Sequence, residues 1–477
     1  MNMNDDSTGE ELVRSQNDKN NSNLLFNNEF KKKNILLLII VGISILVILL
    51  IIFLLIILDE EKKEEDNYSF KAIYKTTKKN EKINLIKYFG IYDIIKTKIN
   101  GTEVNNSKEY NFSSSGEHEV LMLLNTTGYV ELTKMFYGIR NLISINFTDY
   151  FDTKNVVDMS QMFSGCSSLK TINFSSLDTR KVEKMTEIFN GCENLQSIDL
   201  SNLNTTNVKD MSYMFSSCYS LNNINFTNFS TKNVIKMNDM FSGCYSLTSL
   251  DLSNFNTENV EYMNRMFLED TSLSILNISS FDTNQVKDMS QMFEGCFSLK
   301  FLDVSKFNTQ NLNNMNDMFY KCSSLTSIDV SNFDTKEVKN MDRLFGYCSS
   351  LHSINIKKFN TENLLTMQYM FFNCGSLTSI DLTGFDTKNV KDISNLFNGC
   401  SSLKSINISN FDTKNVEKMS GMFYDCSSLE FLDISSFNCS SDRNISLFKN
   451  MKETGIIKVS KDFQGLINIP DGWNITN

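Results

Sequence analysis

The chain has 477 residues, of which 41% are hydrophobic, so a large core can be buried. Its 46 Lys and Arg against 56 Asp and Glu give a formal charge of −10, which argues against nucleic acid, because phosphate contacts need a basic face. With 2 His residues, His118 and His352, imidazole-based acid–base or metal chemistry has little to work with, and no cofactor or metal is expected.

Residues 1–33 are polar and Asn-rich, and read as a disordered cytoplasmic tail ending in Lys31, Lys32 and Lys33. An apolar run from Ile35 to Leu58 comes next. As a helix it spans roughly 36 Å, against a hydrocarbon core of about 30 Å. It is longer than the apolar core of a cleaved signal peptide and lacks a small-residue cleavage site, so residues 34–58 are expected to form an uncleaved transmembrane signal anchor. The triple Lys precedes the run, and Asp59 to Asp66 holds six acids and two Lys. The positive-inside rule then puts the N-terminus in the cytoplasm and the C-terminus outside, a single-pass protein of the cell membrane.

Residues 59–118 are expected to form an extracellular linker and a β-rich module. Ser69 to Leu124 alternates apolar and polar residues, as in Phe70-Lys-Ala-Ile-Tyr, and would shield the near end of a downstream repeat array. A loosely ordered stalk is the alternative.

Residues 119–460 form that array. Cys falls at 166, 192, 218, 244, 296, 322, 348, 374, 400 and 426, steps of 26 interrupted only where Asp270 takes one place. Phe163 to Phe423 and Leu169 to Leu429 keep the same step. A fixed period in this range marks a solenoid, whose units bury their apolar faces only against neighbours. In one unit, Leu403, Ile406, Ile408 and Phe411 alternate as a strand does. Asp412 and Thr413 favour a helix N-cap, and Val416, Met419, Met422, Phe423 and Cys426 recur at helical spacing. The expected fold is therefore α/β: a leucine-rich-repeat solenoid of 26-residue repeats, with a parallel sheet on its concave face and short helices on its convex face. The first unit is offset by one residue, with Ile139 in the Cys position; Ile456 to Val459 would be the last strand, and residues 461–477, with Pro470 to Trp473, a C-terminal cap.

The unit M-F-S-G-C-Y-S-L-T-S-L-D-L-S-N-F-N-T-E-N-V-E-Y-M, Met240 to Met263, resembles the BspA-like leucine-rich-repeat surface proteins. The match runs over roughly residues 132 to 440. The resemblance implies a solenoid displayed at the cell surface, adhesion or host-contact roles, and no catalytic residues. Unlike some bacterial members, the chain has no lipid-attachment Cys near the anchor and no sorting motif.

Coil spacing near 8–10 Å, as for packed helices, would hold the Cys column too far apart for disulfides, so buried free thiols are expected. Asp270, a carboxylate in that column, should open its coil towards water. On the strand face, the candidate ligand-binding residues are Asp199, Asp251, Asp303, Asp329, Asp381 and Asp433, with Ser305 and Ser331 beside them; strand alternation points them away from the core. They form either a polar groove for a protein or glycan, or a soluble hydrogen-bonded ladder. Asp303 and Asp329, one coil apart, are placed as a retaining glycosidase places its carboxylates. Divergent pKa values would be needed for catalysis, so no enzyme is expected. Fifteen N-x-S/T sequons lie beyond the anchor, among them Asn67, Asn100, Asn105, Asn111, Asn125, Asn146, Asn204 and Asn474, candidates for glycosylation. The sequence thus points to a membrane-anchored surface protein that binds an extracellular protein or glycan. A coat or spacer without a ligand is the rival, and a surface glycosidase the third reading.

Overall fold

The computed structural model describes residues 28, 30–55, 68–88, 93–438 and 446–476. Two units are distinguished, Met1–Asn67 and Tyr68–Asn477.

In the first, helix α1 (Phe30–Leu55) is long and apolar enough to cross a membrane, and its described side chains are exposed throughout. Ser44 satisfies its hydroxyl on the Ile40 carbonyl at 2.9 Å, so no polar side chain between Ile35 and Leu55 is left unpaired to resist a hydrocarbon surround. The helix starts before the expected span and takes in Lys31, Lys32 and Lys33; residues 56–58 lie outside the described residues.

The second unit opens with six strands: β1 (Phe70–Thr76), β2 (Glu81–Asn84), β3 (Ile94–Ile99), β4 (Thr102–Val104), β5 (Glu109–Phe112) and β6 (Gly116–Leu124). β6 carries the module past the expected boundary at residue 118. β7 (Leu142–Phe147) is the strand of the first coil, and it pairs antiparallel with β1 on one side and parallel with β8 (Thr171–Asn173) on the other. One sheet, ordered β4-β3-β6-β1-β7-β8, therefore runs from the module into the array, and β1 covers the edge that β7 would otherwise leave open. His118 is buried there, stacked on Phe112 and held between Thr76 Oγ1 and Asn100 Nδ2.

The array continues through β9 (Ser197–Asp199), β10 (Asn223–Asn225), β11 (Ser249–Asp251) and β12 (Ile275–Asn277), then β13 (Ser405–Asn407), β14 (Phe423–Tyr424), β15 (Phe431–Ile434) and β16 (Phe448–Lys449). It closes with β17 (Gly455–Val459), the short helix α2 (Lys461–Gln464) and β18 (Trp473–Thr476). Parallel pairing keeps like residues in register, so Ser405, Ile406 and Asn407 face Phe431, Leu432 and Asp433. Stacking of identical residues builds the core. The Phe column from Phe136 to Phe448 forms one pile of near-parallel rings, with neighbouring centroids 5.2–6.0 Å apart.

The solenoid is as expected, but the short helices are not: among the described residues the array's far side is built of turns. Two positions in each coil, four residues apart, take positive φ, such as Gln161 (60°) with Gly165 (74°) and Arg265 (59°) with Glu269 (60°). A right-handed helix cannot pass through such residues. The N–H groups that would have bonded within a helix reach the next coil instead: Gln161 to Thr186 O at 2.9 Å, Phe163 to Ile188 O at 3.0 Å, Gly165 to Asn190 O at 2.7 Å. Asp412 and Thr413 are not a helix cap either. Asp412 Oδ1 accepts from Lys414 N, closing an Asx turn, while Thr413 Oγ1 donates to Asn438 O at 2.7 Å and accepts from Asn438 N at 2.8 Å. The same buried Thr recurs in every coil from Thr153 onwards.

This second ladder changes the reason why the thiols are free, though free they are. Cys166 to Cys426 are all unbridged and buried; Cys439 lies outside the described residues. Coils bonded backbone to backbone step by about 4.8 Å, not 8–10 Å. In-register residues, however, have parallel Cα–Cβ vectors, so their Cβ atoms are as far apart as the coils, beyond the ~3.8 Å of a typical disulfide. Each thiol donates instead to the Phe carbonyl of the preceding coil, as Cys192 Sγ does to Phe163 O at 3.3 Å. Burial pushes these thiols well above their ordinary range, Cys218 to about 12.

Asp270 also corrects an expectation. Its coil does not open: the side chain is 0% exposed. Oδ1 accepts from Cys244 N at 2.8 Å, and Oδ2 has no partner. Burial raises this carboxyl well above the usual carboxylate range.

Candidate binding face

The strand face is where side chains leave the core. Asp199, Asp251, Asp303 and Asp329 are exposed, Asp381 and Asp433 half-buried, and all six share one column with Ser305 and Ser331 beside it. Each Oδ1 accepts from the N–H two residues on, Asp199 from Ser201 at 2.9 Å and Asp329 from Ser331 at 3.0 Å. These are Asx turns that end each strand, so one oxygen of every carboxylate has a structural task. Asn173, Asn225 and Asn277 make the same turn at the same position.

The remaining valences divide the column. Asp199 and Asp251 also accept from Asn225 and Asn277 Nδ2, each at 2.9 Å. Asp381 is paired with Lys357 at 3.0 Å and Asp433 with Lys458 at 3.4 Å. Among the described residues Asp303 and Asp329 have no ion pair. Their carboxyls are held below the ordinary value chiefly by the Ser305 and Ser331 hydroxyls; Asp381 falls to about 2 through Thr383 and Lys357. Asp303 and Asp329 are thus lowered together, whereas a glycosidase needs one of its two raised. Among the described residues no group of three or more His, Cys, Asp or Glu is placed to hold a metal ion.

The same pair stands where the strand ladder lapses. Among the described residues, segments 301–303, 327–329 and 353–355 do not pair as strands. At their entry the bonds Thr326 N to Lys300 O and His352 N to Thr326 O stretch to 3.5 Å, against 2.9 Å for Asn222 N to Gln196 O. A groove of about 490 Å³ lies over these coils, with Phe301, Asp303, Ser327, Asp329, Ser353 and Asn355 among its lining. Phe301 is 69% exposed, and Ile275, one coil earlier, 66%. The signal for both is present in the sequence, where they break a column that reads Ser249, Ser327, Ser353 around them, but a search for repeated polar residues passes over it.

The candidate glycosylation residues Asn100, Asn105, Asn111, Asn125, Asn146, Asn204 and Asn474 are exposed; Asn67 lies outside the described residues. Asn100 is engaged, its Oδ1 taking the Glu119 N–H at 2.9 Å.

Fold and face together define a β-solenoid of the leucine-rich-repeat class with a laddered turn side and a variable strand side. The chain belongs to the family described as "Mycoplasma protein of unknown function, DUF285", whose model matches residues 130–249, 222–301, 296–381 and 366–454. Among solved structures it is similar to a leucine-rich repeat protein from Bacteroides ovatus, at 14% identity over 78% of this chain and 90% of that one, with a TM-score of 0.35. It is also similar to a leucine-rich cell surface protein from Faecalibacterium prausnitzii, at 19% identity over 65% and 76%, with a TM-score of 0.36. No curated protein matches the chain.

Proposed function

We propose that the protein is a membrane-anchored binding ectodomain that takes an extracellular protein or glycan on its strand face, around Phe301. The carrying observation is the groove itself: the bare Phe301 ring beside two carboxylates free of ion pairs, on coils whose backbone ladder has lapsed, with Ile275 exposed one coil earlier on β12. An apolar side chain left in water in a mostly polar column gains nothing for the fold, and burying it in a ligand gains the usual ~25 cal/mol per Å². The Asx turns favour the rival coat or spacer for the rest of the column. α1 supplies the anchor, with the Lys31–Lys33 side cytoplasmic, and the exposed sequons are acceptors in a glycosylating host.

Phe301→Ser restores the column's commonest residue and should leave folding intact. Binding to cells, or to the best ligand from an extracellular-matrix and glycan panel, should fall about tenfold or more, as for loss of an aromatic anchor. Unchanged binding by folded Phe301→Ser moves the ligand elsewhere. Orientation is tested separately: protease on intact cells should remove the repeats and spare a tag at Met1, and the reverse pattern inverts the topology.

A further inference from the structure

One end of the array carries charge opposite in sign to the whole. Lys87, just after β2, lies with its ammonium 5.6 Å from the Tyr137 ring centroid, and Lys134 with its own at 5.7 Å. The backbone fixes Lys87 there, its N–H donating to Met135 O at 2.8 Å. Arg140 completes the group in the same coil. Among the described residues none of these three cations has an acidic partner in ion-pair range, although Lys154, Arg180, Lys209 and Lys287 all do. In a chain of charge −10, three cations without ion pairs, two of them at one ring, are an anion-attracting spot.

Lys87 and Arg140 border a cavity of about 660 Å³ together with Tyr137, and Ser167 and Glu193 line it from the following coils. It is also lined by Gly138, Gly165 and Gly191, at φ of 66°, 74° and 71°. Later coils alternate at this left-handed position between glycine, as at Gly243, Gly295 and Gly399, and side chains, as at Ser217, Glu269, Lys321 and Asn373. Over the first three coils the ridge is bare, and its amides are spent on the next coil, Gly138 on Ser164 O and Gly165 on Asn190 O, both at 2.7 Å. The floor is therefore no anion nest. It is a flat surface that a ring can lie against, while the charge comes from the wall.

We propose that this trough binds an acidic sugar, a pyranose ring bearing a carboxylate or sulfate within an anionic glycan. The acid group meets Lys87 and Arg140, where the guanidinium fork offers two donors to one anion, and Lys134 at the Tyr137 ring adds its charge. The ring lies over the glycines beside Tyr137. Hydroxyls on its far edge donate to Glu193 and Ser167. An acidic peptide fits less well, because Glu193 repels its carboxylates and the floor has no pockets for its side chains. The site is separate from the groove at Phe301 and does not depend on it.

The full chain, in zwitterionic-lipid nanodiscs, is titrated with a sulfated hexasaccharide, its desulfated counterpart and an oligo-glutamate of equal charge. The sulfated sugar should bind, weaken with added salt, and bind Lys87→Ala/Arg140→Ala about tenfold or more weakly, the scale of lost charge-assisted hydrogen bonds. Gly191→Asn puts on the floor a side chain that Asn373 already carries at φ 55°, so it should fold and also bind weakly. Phe301→Ser should leave this binding unchanged. Equal binding of the desulfated sugar, tighter binding of oligo-glutamate, or full binding by the folded Lys87/Arg140 variant overturns the proposal.

Discussion

The two sides of the array are built from the same number of coils and behave differently. On the turn side, backbone bridges run from Glu131 to Asp158 and coil by coil to Lys418. The buried Thr column and the Phe stack run alongside without interruption. On the strand side the ladder breaks between β8 and β9 and between β10 and β11, lapses altogether between β12 and β13, and the array tolerates it. Register is therefore held by the turns, and the strands are free to change their outward residues, which is where Ile275 and Phe301 appear.

The strongest way to break this contrast is to remove one ring from the stack. Phe293→Ala should cost about 3–5 kcal/mol, read from denaturant midpoints, because in-register neighbours cannot collapse into the gap. Thr283→Val should cost about 2 kcal/mol. Its Oγ1 donates to Asn308 O and accepts from Asn308 N, each at 2.8 Å, and valine leaves both backbone groups buried and unpaired. Ser327→Ala on the strand side should stay within about 0.5 kcal/mol. A loss at Ser327 comparable to that at Thr283 would mean that both sides share the burden.

Asp270 sharpens the contrast through pH. Its folded pKa is raised by burial above the unfolded value near 3.9. The folded state therefore binds the proton more tightly, so stability is full below the unfolded value and declines as pH rises through the raised one. Cys244 and Cys296 in the flanking coils, Glu269 beside it and Tyr245 are the titratable groups that face it. Asp270→Cys restores the column and should stabilise by about 1–2 kcal/mol near neutral pH. The gain should shrink towards pH 4, as followed by melts across that range. A pH-independent gain would mean that folding leaves the proton affinity of Asp270 unchanged.

How much of the molecule is legible in its sequence depends on what each residue type reports. The period, the core columns, the ends and the outward Asp column come from spacing, because identical residues in a stack must share one environment. The turns are not legible. Val416, Met419, Met422 and Phe423 have helical spacing, and only φ distinguishes that from turns with a left-handed residue every four positions; Gly165 and Gly191 hint at it, but Glu187, Tyr213 and Arg265 do not. The groove is hidden for another reason. Reading the Asp column for chemistry draws attention to repeated residues, while Phe301 matters because it departs from the Ser that its column most often holds, as only Ile275 and Phe431 also do with large apolar side chains.

The smallest effect on stability separates scaffold from site. Asp303 and Asp329 each close an Asx turn through one oxygen, and Asn173, Asn225 and Asn277 close the same turn with an amide oxygen. Asp303→Asn/Asp329→Asn therefore keeps every hydrogen bond the fold uses and removes only charge. The melting temperature should not move. Binding at the Phe301 groove should weaken about tenfold if the carboxylates meet a donor or cation on the ligand, the worth of one charge-assisted bond. Asp381→Asn, already neutralised by Lys357, should weaken it far less. If both variants bind as the parent does, the carboxylates are turn-formers alone and Phe301 and Ile275 carry recognition through apolar contact. If the double variant melts early, Asn and Asp are not equivalent in these coils, and the column is part of what holds the strand side together.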